Sequence, residues 1–190
     1  PPTTAPTSPP GPDTMTVRGG VPVEGELHIR GSKNALPKAM VAALLTSEPC
    51  RLTNISTIRD IDVVSELIGL TGGTVTQDAD SITITAHSFQ ALGEEAVERL
   101  HAASRIPVLT TAASLHRTGT AVVAAPGGCA IGPRPVDYHL NVLRALGARD
   151  DHHGGVIHLR TERLRGARID LPFPSVGATE NLMMAAVRAR

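Results

Sequence analysis

The chain has 190 residues, with 18 Lys+Arg against 18 Asp+Glu, so it lacks the net positive charge that would hold nucleic acid by general electrostatics. Hydrophobic residues make up 41%, enough for the core of one large domain, and two cysteines, Cys50 and Cys129, are too few for a disulfide framework and point to a reducing compartment. No apolar run approaches the ~20 residues that span a bilayer, and the start lacks the basic-then-apolar order of a signal peptide, so a cytoplasmic protein with no membrane and no nucleic-acid partner is expected.

Residues 1–14 hold six of the fifteen prolines and read as a disordered extension, with the ordered domain running over 15–190. Glu26–Ile29 alternates polar and apolar residues and predicts a strand. Ala35–Leu45 predicts a helix, with Pro37 tolerated near its first turn. Both lysines of the chain, Lys33 and Lys38, sit at its start, against sixteen arginines elsewhere. Arg51–Ile55 predicts a strand. Asp60 reads as the N-cap of a helix carrying Ile61, Val64 and Ile68, which Gly72-Gly73 stops. Thr74–Thr76 and Ile82–Thr85 predict a hairpin turning over residues 77–80.

The pattern then recurs. Ile61, Asp62, Gly72 and Ile82 match Val136, Asp137, Gly147 and Ile157 at one ungapped offset of 75 residues. A second hairpin is expected, with its turn at residues 150–154. The helix starts at Ser32, Ser104 and Ser175 lie 72 and 71 residues apart. The chain therefore reads as two units of helix, strand, helix and hairpin, about 32–103 and 104–174, with a partial third from 175. The final helix is expected to be cut off at Arg190, leaving an apolar face uncovered.

Two groups of residues carry chemistry. Residues 126–137, Pro-Gly-Gly-Cys-Ala-Ile-Gly-Pro-Arg-Pro-Val-Asp, lie between a predicted strand at Thr120–Ala124 and the second unit's helix. Such a glycine-rich loop presents N–H groups to anions. Arg134 adds a forked cation, and a cysteine in that field, Cys129, is poised for proton transfer or nucleophilic attack. Cys50, with nothing polar organised around it, reads as packing. Lys33 and Arg105 open equivalent helices, where free N–H groups and the helix dipole attract anions, so the two cations and Arg134 are placed to converge on one phosphorylated substrate. There is no Walker loop, dinucleotide fingerprint, nucleophile elbow or zinc spacing, so no metal or cofactor is expected.

Three stretches, Gly31–Pro37, Pro126–Asp137 and Pro174–Asn181, together resemble the enolpyruvyl transferases that act on UDP-N-acetylglucosamine. The resemblance covers the chain from about Thr16 to its end. It implies an α/β fold of repeated βαβαββ units in an inside-out α/β barrel, with the active site in a cleft between two such domains. It implies transfer of the enolpyruvyl group of phosphoenolpyruvate to the 3-hydroxyl of UDP-N-acetylglucosamine, with release of phosphate, as the first committed step of peptidoglycan precursor synthesis. By that resemblance Cys129 is the general acid and fosfomycin target, and Lys33 and Asn34 bind phosphoenolpyruvate. Arg105, Arg134, Pro135, Val136, Asp137, Tyr138, Ser175, Val176 and Gly177 surround the nucleotide sugar. Ile106-Pro107 and Tyr138 depart from the family pattern. They motivate an alternative, a transferase acting on another nucleotide; a non-catalytic nucleotide-sugar-binding remnant is a second. The family is more than twice this long.

Overall fold

The computed structural model describes residues 15–190 apart from Arg18, Val21, 125–127, 130, 131, 134, 135 and 154; the expected disordered extension, residues 1–14, lies outside the described residues. The elements follow the predicted repeat. The first unit is α1 (Ala35–Ala42, extended by a 3-10 turn over Ala43–Leu45), β1 (Cys50–Thr53), α2 (Asp60–Leu70), β2 (Thr74–Gln77) and β3 (Ser81–Thr85). A helix that the sequence reading does not anticipate, α3 (Glu94–Ala103), joins it to the second unit. That unit is a 3-10 turn (Ile106–Leu109) running into α4 (Thr110–Thr118), then β4 (Thr120–Ala124), a two-residue ladder of β5 (Gly128–Cys129) and β6 (Gly132–Pro133), α5 (Asp137–Ala145), β7 (Arg149–His153) and β8 (Val156–Arg160). The third unit contributes α6 (Val176–Ala186).

Each complete unit builds the same three-stranded sheet, β1-β3-β2 and β4-β8-β7, in which the hairpin's second strand lies in the middle, antiparallel to both neighbours. The repeat extends to the helix ends. In α2 the N–H of Gly73 bonds Ile68 O and that of Gly72 bonds Gly69 O; in α5 the N–H of Ala148 bonds Leu143 O and that of Gly147 bonds Arg144 O. Both are Schellman closures, and both need a residue in the left-handed region, supplied by Gly72 (φ 88°) and Gly147 (φ 97°).

Of the helices that open the three units, α1 and α6 each pack on α4, and the two sheets flank them. Met40, Val41 and Leu44, Ala112 and Ala113, and Ala185 are essentially inaccessible, as are Ile82, Ile84 and Leu159 on the sheets. Helix α4 is the centre: every residue from Thr110 to Leu115 is buried. Its two threonines at the start are satisfied inside. Thr110 and Thr111 donate to the carbonyls of Pro107 and Val108 at 2.7 Å, and Asn181 of α6, fully buried, donates to Thr111 Oγ1 at 3.3 Å. At the far end of α4, Arg117 donates to the carbonyls of Leu44, Thr46 and His87 at 3.1–3.2 Å and stacks over Phe89, 5.0 Å from the ring centroid.

Several expectations are corrected. Glu26–Ile29 forms no strand: alternation is present, but no neighbouring strand supplies hydrogen bonds, and Leu27 and Ile29 stand exposed. The strand predicted at Arg51–Ile55 runs instead over Cys50–Thr53, and Asn54, at φ 53°, ends it. Asp60 is not the cap of α2 but its first residue, where its charge still favours the helix dipole. The second hairpin does not turn at 150–154. Strand β7 runs through His153, paired with Val156, and Asp150 is held mid-strand by Arg144 Nε at 2.8 Å and by His152 at 2.9 Å. Helix α6 closes at Ala186 rather than running on, and Arg190 exchanges backbone hydrogen bonds with Leu164 and Gly166. The expected uncovered apolar face is present: Val176, Met183 and Val187, on one side of α6, are 73%, 66% and 69% exposed, with Phe173 beside them.

Arg117 is the tie between α4 and the first unit. Arg117→Met is expected to lower unfolding free energy by about 2–3 kcal/mol, since two half-buried carbonyls and the exposed one of His87 lose a forked, charged donor. Arg117→Lys should recover only part of it. Urea denaturation of the three proteins measures both.

Candidate functional site

The unit-opening helices start in the same way, and the three starts face one cleft. Ser32 Oγ accepts from the N–H of Ala35 at 3.3 Å, Ser104 Oγ from Ile106 at 3.2 Å, and Ser175 Oγ from Ala178 at 3.3 Å. Each serine satisfies one of the four orphan N–H groups of a helix start and leaves others free. The residues after the serines, Lys33-Asn34, Arg105 and Val176-Gly177, then line a cleft of about 450 Å³. Six of the predicted site residues, Lys33, Asn34, Arg105, Ser175, Val176 and Gly177, are thereby brought together from positions up to 144 apart in the chain.

The cleft is polar and weakly cationic. Lys33, Lys38 and Arg105 line it against Asp60 and Glu180. Lys38 Nζ lies 3.2 Å from Glu180 Oε1, with both side chains about three-quarters buried, so this pair ties α1 to α6 and cancels its own charge. Lys33 and Arg105 make no ion pair among the described residues. With the N–H groups at the starts of α1 and α6 and of the 3-10 turn before α4, they suit a ligand carrying phosphate or carboxylate groups.

The other predicted residues are placed differently. Val136, Asp137 and Tyr138 do not line the cleft: Val136 is buried in the core beneath α5, and Asp137 is exposed on its first turn. Arg134 and Pro135 lie outside the described residues. The backbone of Cys129 pairs with Gly132 in the β5–β6 ladder between β4 and α5; its side chain lies outside the described residues. Cys50 is half-buried against the core, as expected of packing. Among the described residues no group of three or more His, Cys, Asp or Glu side chains is placed to hold a metal ion, and no helix is long and apolar enough to cross a membrane.

Sequence reasoning misses His139, Lys38, Asp60 and Glu180. His139 is the most unusual. Its ring is 5% exposed, lines the cleft, and has a buried Nδ1 without a hydrogen-bond partner. Gly177 packs closely opposite it: a Cβ there would lie 3.3 Å from both Cε1 and Nε2 of the ring, so a larger residue would press on it. Burial, reinforced by the Arg105 guanidinium and opposed by Asp137, pushes the imidazole down to about 4. Burial also holds His101 and His116 low.

The comparisons with known proteins agree with this architecture. The family model described as EPSP synthase (3-phosphoshikimate 1-carboxyvinyltransferase) matches residues 17–190. The UDP-N-acetylglucosamine 1-carboxyvinyltransferase of Nitratidesulfovibrio vulgaris is 42% identical over 177 residues, covering 93% of this chain and 42% of that protein. The protein of the same name from Paracoccus denitrificans is 42% identical over 180 residues, with 94% and 42% covered. The chain thus spans about 42% of the length of the curated relatives it matches. Among solved structures, the enolpyruvyl transferase NikO from Streptomyces tendae aligns with a TM-score of 0.70 at 20% identity, covering 84% of this chain and 38% of that one. EPSP synthase from Acinetobacter baumannii aligns at 0.62 and 16% identity, covering 87% and 38%.

The histidines give the fold a pH dependence with a definite sign. A His139 that stays neutral down to pH of about 4 in the fold but protonates near 6.5 when unfolded contributes stability in full above pH 6.5, which is lost as pH falls towards 4. The loss at pH 5 is expected to be about 2 kcal/mol from His139 alone. Urea midpoints at pH 7.5 and pH 5 should show it, and His139→Gln should flatten most of the slope.

Proposed function

The chain belongs to the EPSP synthase (3-phosphoshikimate 1-carboxyvinyltransferase) family, and from that membership we propose that it forms the part of an enolpyruvyl transferase that receives phosphoenolpyruvate and UDP-N-acetylglucosamine. The observation that carries this reading is the meeting of Lys33, Asn34, Arg105 and Ser175–Gly177 at one cleft. Two cations and three helix starts there match two substrates that are both phosphorylated anions. The similarity to relatives named for the UDP-N-acetylglucosamine reaction selects the acceptor.

In this reading Lys33 and Asn34 hold phosphoenolpyruvate, while Arg105 and the Ser175–Gly177 turn hold the nucleotide sugar with Arg134, Pro135, Val136, Asp137 and Tyr138 nearby. The acceptor's 3-hydroxyl oxygen bonds to C2 of phosphoenolpyruvate and gives up its proton to a base supplied by the rest of the closed site, while the methylene carbon takes a proton from the Cys129 thiol, leaving the thiolate to take back the proton lost in the second step. The C2–phosphate bond then breaks, the methyl carbon returns a proton, and the enol ether and inorganic phosphate leave. Positive character develops at C2 while phosphate charge persists, so fixed cations and N–H dipoles stabilise the transition state where they stand. Cys129 would then be the residue that fosfomycin labels. Both substrates are highly charged metabolites that do not cross membranes unaided, which puts the reaction in the cytoplasm, at the entry to peptidoglycan synthesis and hence to cell growth and division. Because the relatives are longer, the rest of the closed site comes from sequence outside this chain.

The test is phosphate release from phosphoenolpyruvate, with the unmatched portion of the Paracoccus denitrificans relative supplied as a second polypeptide. Release is expected with UDP-N-acetylglucosamine as acceptor and not with shikimate 3-phosphate; the reverse preference overturns the reading. Lys33→Ala and Arg105→Ala should each lower kcat/KM by about 10²–10³-fold. Cys129→Ala should abolish fosfomycin labelling and most turnover, and unimpaired turnover would remove Cys129 from the acid role.

A further inference from the structure

A pocket of about 760 Å³ lies at the end of α4 opposite the cleft, where Gly119 closes that helix and Gly147 closes α5. Four arginines line it against a single carboxylate, Glu162: Arg149 of β7, Arg160 of β8, and Arg163 and Arg165 of the segment that follows β8. Arg149 and Arg160 are direct cross-strand partners, so their side chains leave the same face of the sheet. Like charges in that relation repel. Among the described residues none of the four makes an ion pair, whereas Arg99 and Arg144 elsewhere on the surface do. The segment that carries Arg163 and Arg165 is pinned. The N–H of Thr161 donates to Gly119 O at 2.9 Å, that of Arg163 to Thr161 Oγ1 at 3.1 Å and that of Arg165 to Leu146 O at 2.8 Å, while Leu164 is 1% exposed. A Cβ on Gly119 would stand 2.8 Å from Thr161 O, so glycine is what lets the segment lie this close. The carbonyls of Gly119 and Leu146, past the ends of α4 and α5, are thereby taken by backbone amides and not by guanidinium groups.

We propose that this pocket is a second anion site, separate from the cleft, for a small molecule that carries two or more adjacent phosphate groups. A planar guanidinium engages phosphate oxygens two at a time, and four guanidinium groups around one pocket exceed what a single phosphate can use. The volume is that of a small-molecule site and not of one ion. Two of the arginines stand on a sheet and two on a segment fixed to helix ends, so a ligand that bridges them needs charge at more than one point along its length. A bound oligophosphate also offsets the repulsion between Arg149 and Arg160. The acids nearest in sequence are already engaged, Asp150 with Arg144 and Asp151 with His153, which leaves Glu162 as the one carboxylate lining the pocket.

The site stands independently of what the cleft binds, and the test keeps the two apart. Sodium tripolyphosphate is titrated calorimetrically into the Lys33→Ala/Arg105→Ala protein, in which the cleft has lost its two unpaired cations, and into the same protein with Arg149→Gln and Arg160→Gln added. The first is expected to bind tripolyphosphate, and the added pair to weaken that binding about 10- to 100-fold. Orthophosphate and citrate should bind the first protein at least tenfold more weakly than tripolyphosphate. Urea midpoints without anion should show Arg149→Gln/Arg160→Gln to be as stable as the unaltered chain or more so, since a like-charge pair is removed. Tighter binding of ATP than of tripolyphosphate identifies the phosphates as those of a nucleotide, and equal binding identifies an inorganic oligophosphate; both support the site. Unchanged affinity in the arginine variant, orthophosphate or citrate binding as tightly as tripolyphosphate, or no binding to the cleft variant would overturn the proposal. A marked loss of stability in Arg149→Gln/Arg160→Gln without anion would make the arginines structural and overturn it as well.

Discussion

Helix α4 has no solvent face along Thr110–Leu115, and most of the architecture follows from enclosing it. A helix covered on every side cannot carry long charged side chains there, so it is built from Thr, Ala and Ser, and close approach of α1 and α6 becomes possible. Its hydroxyls must find acceptors inside: two fold back onto carbonyls one turn earlier, and Thr111 also takes the amide of Asn181. Its two ends are then the only places where it can meet other chemistry. One end is tied to the first unit by Arg117, and the other opens beside Arg105 into the cleft.

That geometry explains why the site is shared among units. A serine accepts one N–H at the start of α1, of the 3-10 turn that leads into α4, and of α6, and these three starts meet at one cleft. Residues that are unremarkable singly, a lysine, an arginine and a glycine, become one anion-seeking surface. The Lys38–Glu180 pair fixes α1 against α6 at this surface without adding net charge. The attractive field there comes from Lys33, Arg105 and backbone dipoles.

Much of this was legible from local sequence. Helix starts at Ser32, Ser104 and Ser175 and helix stops at Gly72 and Gly147 are set by groups within six residues of one another, so their spacing is written in the local sequence. What was not legible depends on distant partners. Glu26–Ile29 has the alternation of a strand, but alternation assigns faces and cannot supply a neighbour to pair with. Helix α3 carries many polar residues and earns its place by packing on β4, more than twenty residues away. His139 looks like one histidine among eight; it becomes singular only where Gly177, thirty-eight positions later, closes over its ring. Val136 lies in a recognisable motif, and the apolar spacing that continues into α5 buries its side chain in the core.

The paired Schellman closures of α2 and α5 have an evolutionary consequence. Each closure is completed by carbonyls and amides of its own unit, as is each serine cap, so a copied segment brings its own helix start and its own helix stop. Duplication of such a gene segment adds a unit whose helices do not borrow these bonds from a neighbour. Divergence is then free to act on the residues beside the caps, which is where Lys33, Arg105 and Val176 differ and where a single ancestral start could acquire three distinct tasks.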